Sequence, residues 1–214
     1  MADITGTTSH RVRGNNATYS TARSTSTYQD ATCQCGQTLS GGIYYIDRVV
    51  LKFDTSIIGA SSTITQVNLT LTATTDSSTT DFDVDIVKYN WSASDPISDG
   101  NRETVYDGIL AADADDNIWR NTSGISINTP YTSGNLNTAW INKTGYTYYG
   151  LLSNRDRDGS GTAPTGNESI VFAAVNNATE AYRPTLTVVY TAEGEVKVFR
   201  SRRGIPTARS RFKF

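Results

Sequence analysis

Three oxygen-bearing side chains, Asn154, Asp156 and Asp158, alternate with two arginines in NRDRDG, residues 154–159. Amide and carboxylate oxygens two residues apart, followed by a glycine that lets the chain turn, are how a calcium-binding loop begins. The likeness stops there. The twelfth position is Thr165 where such a loop has Glu, and Arg155 and Arg157 stand among the ligand positions. Two readings remain: a structural Ca2+ held by Asn154, Asp156 and Asp158, or a tight polar hairpin loop in which Asp pairs with Arg. A second acidic feature, Asp81, Asp83 and Asp85 in DFDVDIVKY, sets carboxylates along one strand face at a spacing of roughly 7 Å. Like charges at that distance repel unless a cation, a partner or a basic neighbouring strand counters them.

Aromatic side chains suggest another chemistry. The chain has 12 Tyr and 3 Trp, and an exposed Tyr or Trp ring can stack on the face of a sugar. Tyr44 and Tyr45 adjoin, as do Tyr148 and Tyr149, so in a strand each pair points to opposite sides. Trp91 in YNWSASD and Trp119 in NIWRN stand beside turns. Tyr45, Trp91, Trp119 and Tyr148 are therefore the candidate glycan-binding residues. The alternative is that these rings close the ends of the core.

Catalytic patterns are absent from the sequence. His10 is the single histidine, and there is no GxSxG, Walker A, GxGxxG or HExxH stretch. Two carboxylates at the right distance suffice to hydrolyse a glycoside, but no pair stands out, and the expectation is a protein that is not an enzyme. Cys33 and Cys35 in ATCQCGQ share one face of an extended segment, where a mutual disulfide would be strained. Free thiols are the simplest reading, with an intermolecular disulfide or a metal site as alternatives.

The elements that must position these residues read as strands. IYYIDRVVLKFD (43–54), ITQVNLTLTAT (64–74), DFDVDIVKY, TYYGLLSN, ESIVFAAV and PTLTVVYTA alternate or are rich in β-branched and aromatic residues, separated by Gly, Asn and Asp clusters. The alternation in 64–74 slips at Gln66, a bulge or the true start of the strand. Weaker strand candidates lie at 11–13, 106–110, 118–120 and 124–127. Residues 5–42 read mostly as loop with short strands. SGNLNTAWINKTG carries Leu136, Ala139 and Trp140 at helical spacing and predicts one short helix of two turns. No apolar run approaches the ~20 residues of a membrane span, and MADITGTTSHRVRG lacks the apolar core of a secretory signal, so none is expected.

Three stretches then resemble one family. DRVVLKFDTSIIGASSTITQVNLTLTAT is similar to the segment of DNRLRE-type β-sandwich domains in which an Arg-x-hydrophobic-Leu-x-Phe-Asp strand leads through a short loop into a second strand. NTAWINKTGYTYYGLLSNRD resembles their Trp-bearing helix and the strand after it, and AYRPTLTVVYT resembles their closing strand. Together they cover roughly residues 8–191. The resemblance implies an all-β, jelly-roll-like antiparallel sandwich related to carbohydrate-binding modules, of a kind found on secreted and surface proteins and in phage structural proteins. It implies Leu51 and Phe53 as core, Trp140 as a helix anchor, and Pro184 and Leu186 in the last strand. It brings no fixed binding residue with it.

The last stretch differs from everything before it. From Glu193 onward seven basic residues face two acidic ones, a net of +5, so residues 1–192 carry −7 of a chain whose total is −2. Phe199, Arg200, Arg202, Arg203, Arg209, Arg211, Phe212 and Phe214 interleave cations with rings. Arg on phosphates and Phe on bases would suit nucleic acid, but the acidic body opposes it. A plain solvated tail rarely holds so many rings. Arg forks on a neighbour's carboxylates with Phe in its pockets describe a docking arm. The division is therefore a β-sandwich over 1–192 and a basic aromatic arm over 193–214. The expectation is a virion structural protein, such as a phage capsid decoration, fibre or tail-surface subunit, that self-assembles or docks on other virion proteins and has capacity for polysaccharide. The alternative is a stand-alone carbohydrate-binding or adhesion module at a cell surface or outside the cell.

Overall fold

The computed structural model describes residues 1–158 and 163–192, and the backbone alone of 114–117. Among the described residues eleven strands carry the fold: β1 (Ala2–Asn16), β2 (Ser26–Asp30), β3 (Cys33–Ser40), β4 (Ile43–Asp54), β5 (Thr63–Asp76), β6 (Asp83–Val87), β7 (Ala114–Asn121), β8 (Pro130–Thr132), β9 (Tyr146–Ser153), β10 (Asn167–Phe172) and β11 (Thr185–Thr191). Three short α-helices accompany them: α1 (Tyr19–Ser24), α2 (Arg102–Ala111) and α3 (Asn154–Arg157). The described strand pairs are antiparallel, so the all-β expectation holds.

β4 is the hub. One edge pairs with β1, from Gly6 opposite Phe53 to Asn16 opposite Tyr44. The other edge pairs with β3 near its start and β9 near its end. The first residues of β1 pair with β11, β11 with β5, the end of β5 with β10, and β10 with β3. The pairings thus run in a circuit back to β4. β9–β6–β7 branch from it, while β2 flanks β1 and β8 flanks β5.

Alternation along β4 splits the interior in two. Val49, Leu51 and Phe53 face a cluster that includes Val67, Leu69 and Leu71 of β5 and Leu186 and Val188 of β11. Ile46 and Val50 face the other way, against Ala22 of α1 and Val105, Tyr106 and Ile109 of α2. Each Val, Leu, Ile or Phe among them contributes about 1.5–3 kcal/mol when fully buried. Leu51, Phe53 and Leu186 are core, as the resemblance implies. Pro184 lies just before β11, and its carbonyl accepts a hydrogen bond from Gly6 N.

Several expectations are corrected. Residues 5–42 hold strands, as expected, but the strands β1, β2 and β3 with the helix α1 take up most of the stretch, where mostly loop was expected. β1 hides its strand character because Thr, Ser, Gly and Arg fill it. Residues 106–110 are helical: Val105, Tyr106 and Ile109 make the buried side of α2, and Gly108 is there because a Cβ would lie 2.2 Å from the Tyr89 ring. Residues 124–127 form no strand, and the two-turn helix at 133–145 is one 3-10 turn, Thr138–Trp140. The slip at Gln66 is a bulge: Gln66 pairs with Val189 and Ile64 with Tyr190, which leaves Thr65 as the extra residue.

Cys33 and Cys35 are free thiols, both buried in the cluster under β5 and β11. Burial pushes the Cys33 thiol up to about 12 and the Cys35 thiol well above its ordinary value. Side chains this deep have no access to another chain, which removes the intermolecular disulfide. No helix among the described residues is long and apolar enough to cross a membrane.

Candidate functional site

Of the four candidate sugar platforms, two are interior. Trp119 of β7 is 3% exposed, stands edge-on to Phe172 with ring centres 5.1 Å apart, and donates its indole N–H to Tyr131 O at 3.2 Å. Trp91 is 1% exposed and packs among Ile97, Val105 and Ile109. Standing beside a turn did not bring either ring to the surface, because the strands and helices on both sides close over it. Tyr45 and Tyr148 are half-buried and line separate clefts.

The cleft at Tyr148 is built from the start of β9. Tyr146 and Tyr148 alternate onto one strand face with ring centres 6.4 Å apart. Thr147 points the other way and is buried, its hydroxyl 2.8 Å from that of Thr55. Thr55 Oγ1 also lies 2.6 Å from Asn142 O and 2.8 Å from Gly145 O, and Asn142 N donates to Thr147 Oγ1. One buried threonine pair thus pins the 142–147 loop. The 3-10 turn before it starts at Asn137, whose side chain accepts from Ala139 N, and it delivers Trp140 half-buried against the Tyr149 ring. Lys88, Asn90 and Ser92 make the facing wall of a cleft of about 490 Å3.

The rings are held from behind. Trp91 meets Tyr148 edge-on at 5.1 Å. Lys52 Nζ sits 4.2 Å from the centre of the Tyr146 ring and pairs with Asp95. Burial works against the Lys52 charge, but the Asp95 carboxylate outweighs it and holds the pKa above the ordinary value. Burial raises the Tyr148 phenol as well. The result is three aromatic rings on a fixed backbone beside amides and hydroxyls, the surface that a sugar's apolar face and ring hydroxyls require. No carboxylate lines this cleft among the described residues, so the acid pair of a glycosidase is missing from its walls.

Among the described residues neither acidic motif gathers its oxygens round one point, and residues 159–162 of the candidate calcium loop lie outside them. Asn154 and Asp156 lie in α3, where residues two apart point about 200° away from each other. Asp156 turns inward and accepts from Arg48 Nε at 2.7 Å, Arg48 Nη2 at 3.0 Å and Arg23 Nε at 3.1 Å. Asn154 Oδ1 accepts from Asp83 N, and Asp158 is exposed at the end of the helix. Of the two readings of Asn154, Asp156 and Asp158, Asp–Arg pairing is the one that these contacts support. In β6 Asp85 pairs with Arg157 at 2.9 Å and Asp83 accepts from Asn121 Nδ2 at 2.7 Å, while Asp81, just before the strand, accepts from the Thr122 hydroxyl. Among the described residues no cluster of three or more His, Cys, Asp or Glu could hold a metal.

Two cleft residues escaped the sequence reading. Trp140 was expected as a helix anchor, and Tyr146 carried no expectation. The period of two in GYTYYG, residues 145–150, was the available signal, since it sets Tyr146 and Tyr148 on one face. The docking residues Phe199, Arg200, Arg202, Arg203, Arg209, Arg211, Phe212 and Phe214 lie outside the described residues. No model of a known protein family matches this chain, and no curated protein matches it.

Proposed function

We propose that the chain is a non-enzymatic surface protein of a virion, a phage capsid decoration, fibre or tail-surface subunit, whose body binds carbohydrate in the Trp140–Tyr146–Tyr148 cleft. The body is read as a jelly-roll-like β-sandwich of the DNRLRE type. In β4, the stretch of the resemblance DRVVLKFD contributes Leu51 and Phe53 to the core and Arg48 to the buried pair with Asp156. The observation that carries the binding function is the cleft: Tyr148 backed by Trp91, Tyr146 by Lys52 and Trp140 by Tyr149, with amide and hydroxyl neighbours and no lining carboxylate among the described residues. The buried carboxylates Asp47, Asp85, Asp156 and Glu168 are each engaged by an arginine, which supports a binding role over hydrolysis.

Polysaccharide pull-down followed by calorimetry with soluble oligosaccharides tests this. Trp140→Ala and Tyr148→Ala are expected to weaken binding at this cleft by about tenfold or more, the effect of removing an interface anchor. Unchanged affinity in both variants would sink the reading.

The virion setting rests on the charge division between body and arm, −7 against +5, which suits docking of the arm on an acidic neighbour. Light scattering on the full chain and on a chain ending at Thr191 reads this out. The full chain is expected to assemble and the shortened one to be a monomer. Two monomers would favour the stand-alone carbohydrate-binding module.

A further inference from the structure

We propose a second binding site, on the opposite face of β4 from the Tyr148 cleft, that takes an uncharged, extended oligosaccharide across Tyr45 and Tyr28. Two adjoining hollows of about 300 and 480 Å3 share Arg13 and Tyr45 and so form one groove.

The strand register places its parts. Arg13 of β1 stands opposite Tyr28 of β2 and opposite Asp47 of β4, so all three share one face. Tyr45, two residues before Asp47, shares that face too. The rings lie on strands that flank β1 on either side, roughly 10 Å apart. One sugar ring cannot bridge that distance, whereas a short chain can.

Both rings are held from one side by a guanidinium. Arg11 lies 5.7 Å from the centre of Tyr28 and Arg13 lies 5.1 Å from the centre of Tyr45. Tyr28 is 48% exposed. The arginines are themselves fixed: Arg13 donates from Nε and Nη2 to the buried Asp47 at 2.6 and 2.8 Å, while Arg11 pairs with Asp30 and donates to Gln34. These platforms are therefore preorganised, which lowers the cost of binding.

The same pairing decides the class of ligand. Arg11 and Arg13 are matched by Asp30 and Asp47, so the groove carries no surplus charge for an anionic glycan, a phosphate or the basic arm. The remaining walls are amides and hydroxyls, among them Asn15, Thr27, Thr38, Ser40 and Asn167. No aliphatic side chain lines either hollow among the described residues, although the centre of a protein–protein interface is apolar. Tyrosine faces with amides and hydroxyls suit a neutral polyol.

The test uses the full chain and uncharged gluco-, xylo- and manno-oligosaccharides from one to six units, with calorimetry as the readout. At least one series is expected to bind more tightly as the chain lengthens. Tyr45→Ala and Tyr28→Ala should each weaken that binding by about tenfold, and Trp140→Ala should leave this length-dependent component in place. Tyr28 is exposed enough for its variant to test the site even if Tyr45→Ala does not fold. Loss in the Trp140 variant alone would assign all binding to the first cleft and overturn the proposal. So would absence of binding across the three series, preference for sulfated or uronic chains, or a Tyr28 variant that changes only the mass in solution. That last result would make the groove a contact between copies.

Discussion

Asp156→Ala is expected to lower the unfolding free energy by about 3–5 kcal/mol, because it leaves the Arg48 guanidinium charged and unpaired inside the protein. Arg48 is fully buried and donates two hydrogen bonds to Asp156, one to Tyr106 O and one to Arg23 O. Its guanidinium also lies 3.7 Å from the centre of the Tyr106 ring. Burial alone would lower the Arg48 pKa, and Asp156 more than reverses that. Without the carboxylate the desolvation remains and the compensation is gone. For a chain of this length 1 kcal/mol shifts the melting temperature by roughly 2–4 °C, so the variant should melt on the order of 10 °C lower.

The reverse substitution gives a smaller loss. Arg48→Met leaves Asp156 with Arg23, which is partly exposed and still 3.1 Å away. Arg48→Met combined with Asp156→Leu removes both charges and should lose less than the sum of the single variants, since buried pairs replaced by apolar groups are often near neutral. Additive losses would show that the two residues stabilise the fold independently. Calcium or EDTA should leave the parent's melting temperature unchanged, since Asp156 is committed to arginine. A rise with calcium would restore the cation reading of the 154–158 stretch.

The sequence made some of this architecture legible and hid the rest for physical reasons. β4, β5, β9, β10 and β11 were readable because each repeats apolar residues with the period of a strand over a core. β1 was not, since it satisfies its backbone by pairing at both edges while carrying polar side chains: Arg11 and Arg13 pair with Asp30 and Asp47 on the face opposite the buried Val12. α2 was hidden by Gly108, which serves the close approach of Tyr89 and not the helix. Burial of an aromatic was the least readable property. Trp91, Trp119 and Trp140 all stand near turns, and only contacts far along the chain decide which is covered. Ion-pair partners 108 residues apart, as Arg48 and Asp156 are, leave no local trace. Of the glycan candidates drawn from the sequence, Tyr45 and Tyr148 are partly accessible, and their ring partners, Arg13 for Tyr45 and Trp91 and Tyr146 for Tyr148, are ones that local spacing alone did not connect.

Trp119 and Trp140 make the sharpest contrast between a ring that holds the fold and a ring proposed to meet a ligand. Trp119→Ala should destabilise by about 3–5 kcal/mol, the usual cost of emptying a buried Trp site. It removes the edge-on contact with Phe172 and leaves the Tyr131 carbonyl without its indole donor. Trp140 packs only partly against the same cluster, so Trp140→Ala should cost about 1 kcal/mol in area lost. Denaturant unfolding and sugar titration on both variants should therefore cross. The Trp119 variant should unfold early yet bind normally wherever it remains folded. The Trp140 variant should unfold close to the parent and bind poorly. A Trp119 variant of parental stability would contradict its 3% exposure and return it to the surface as a platform. A Trp140 variant that loses stability and keeps its affinity would make this ring a structural anchor, in line with the helix anchor that the family resemblance implied, and would leave the cleft without its indole wall.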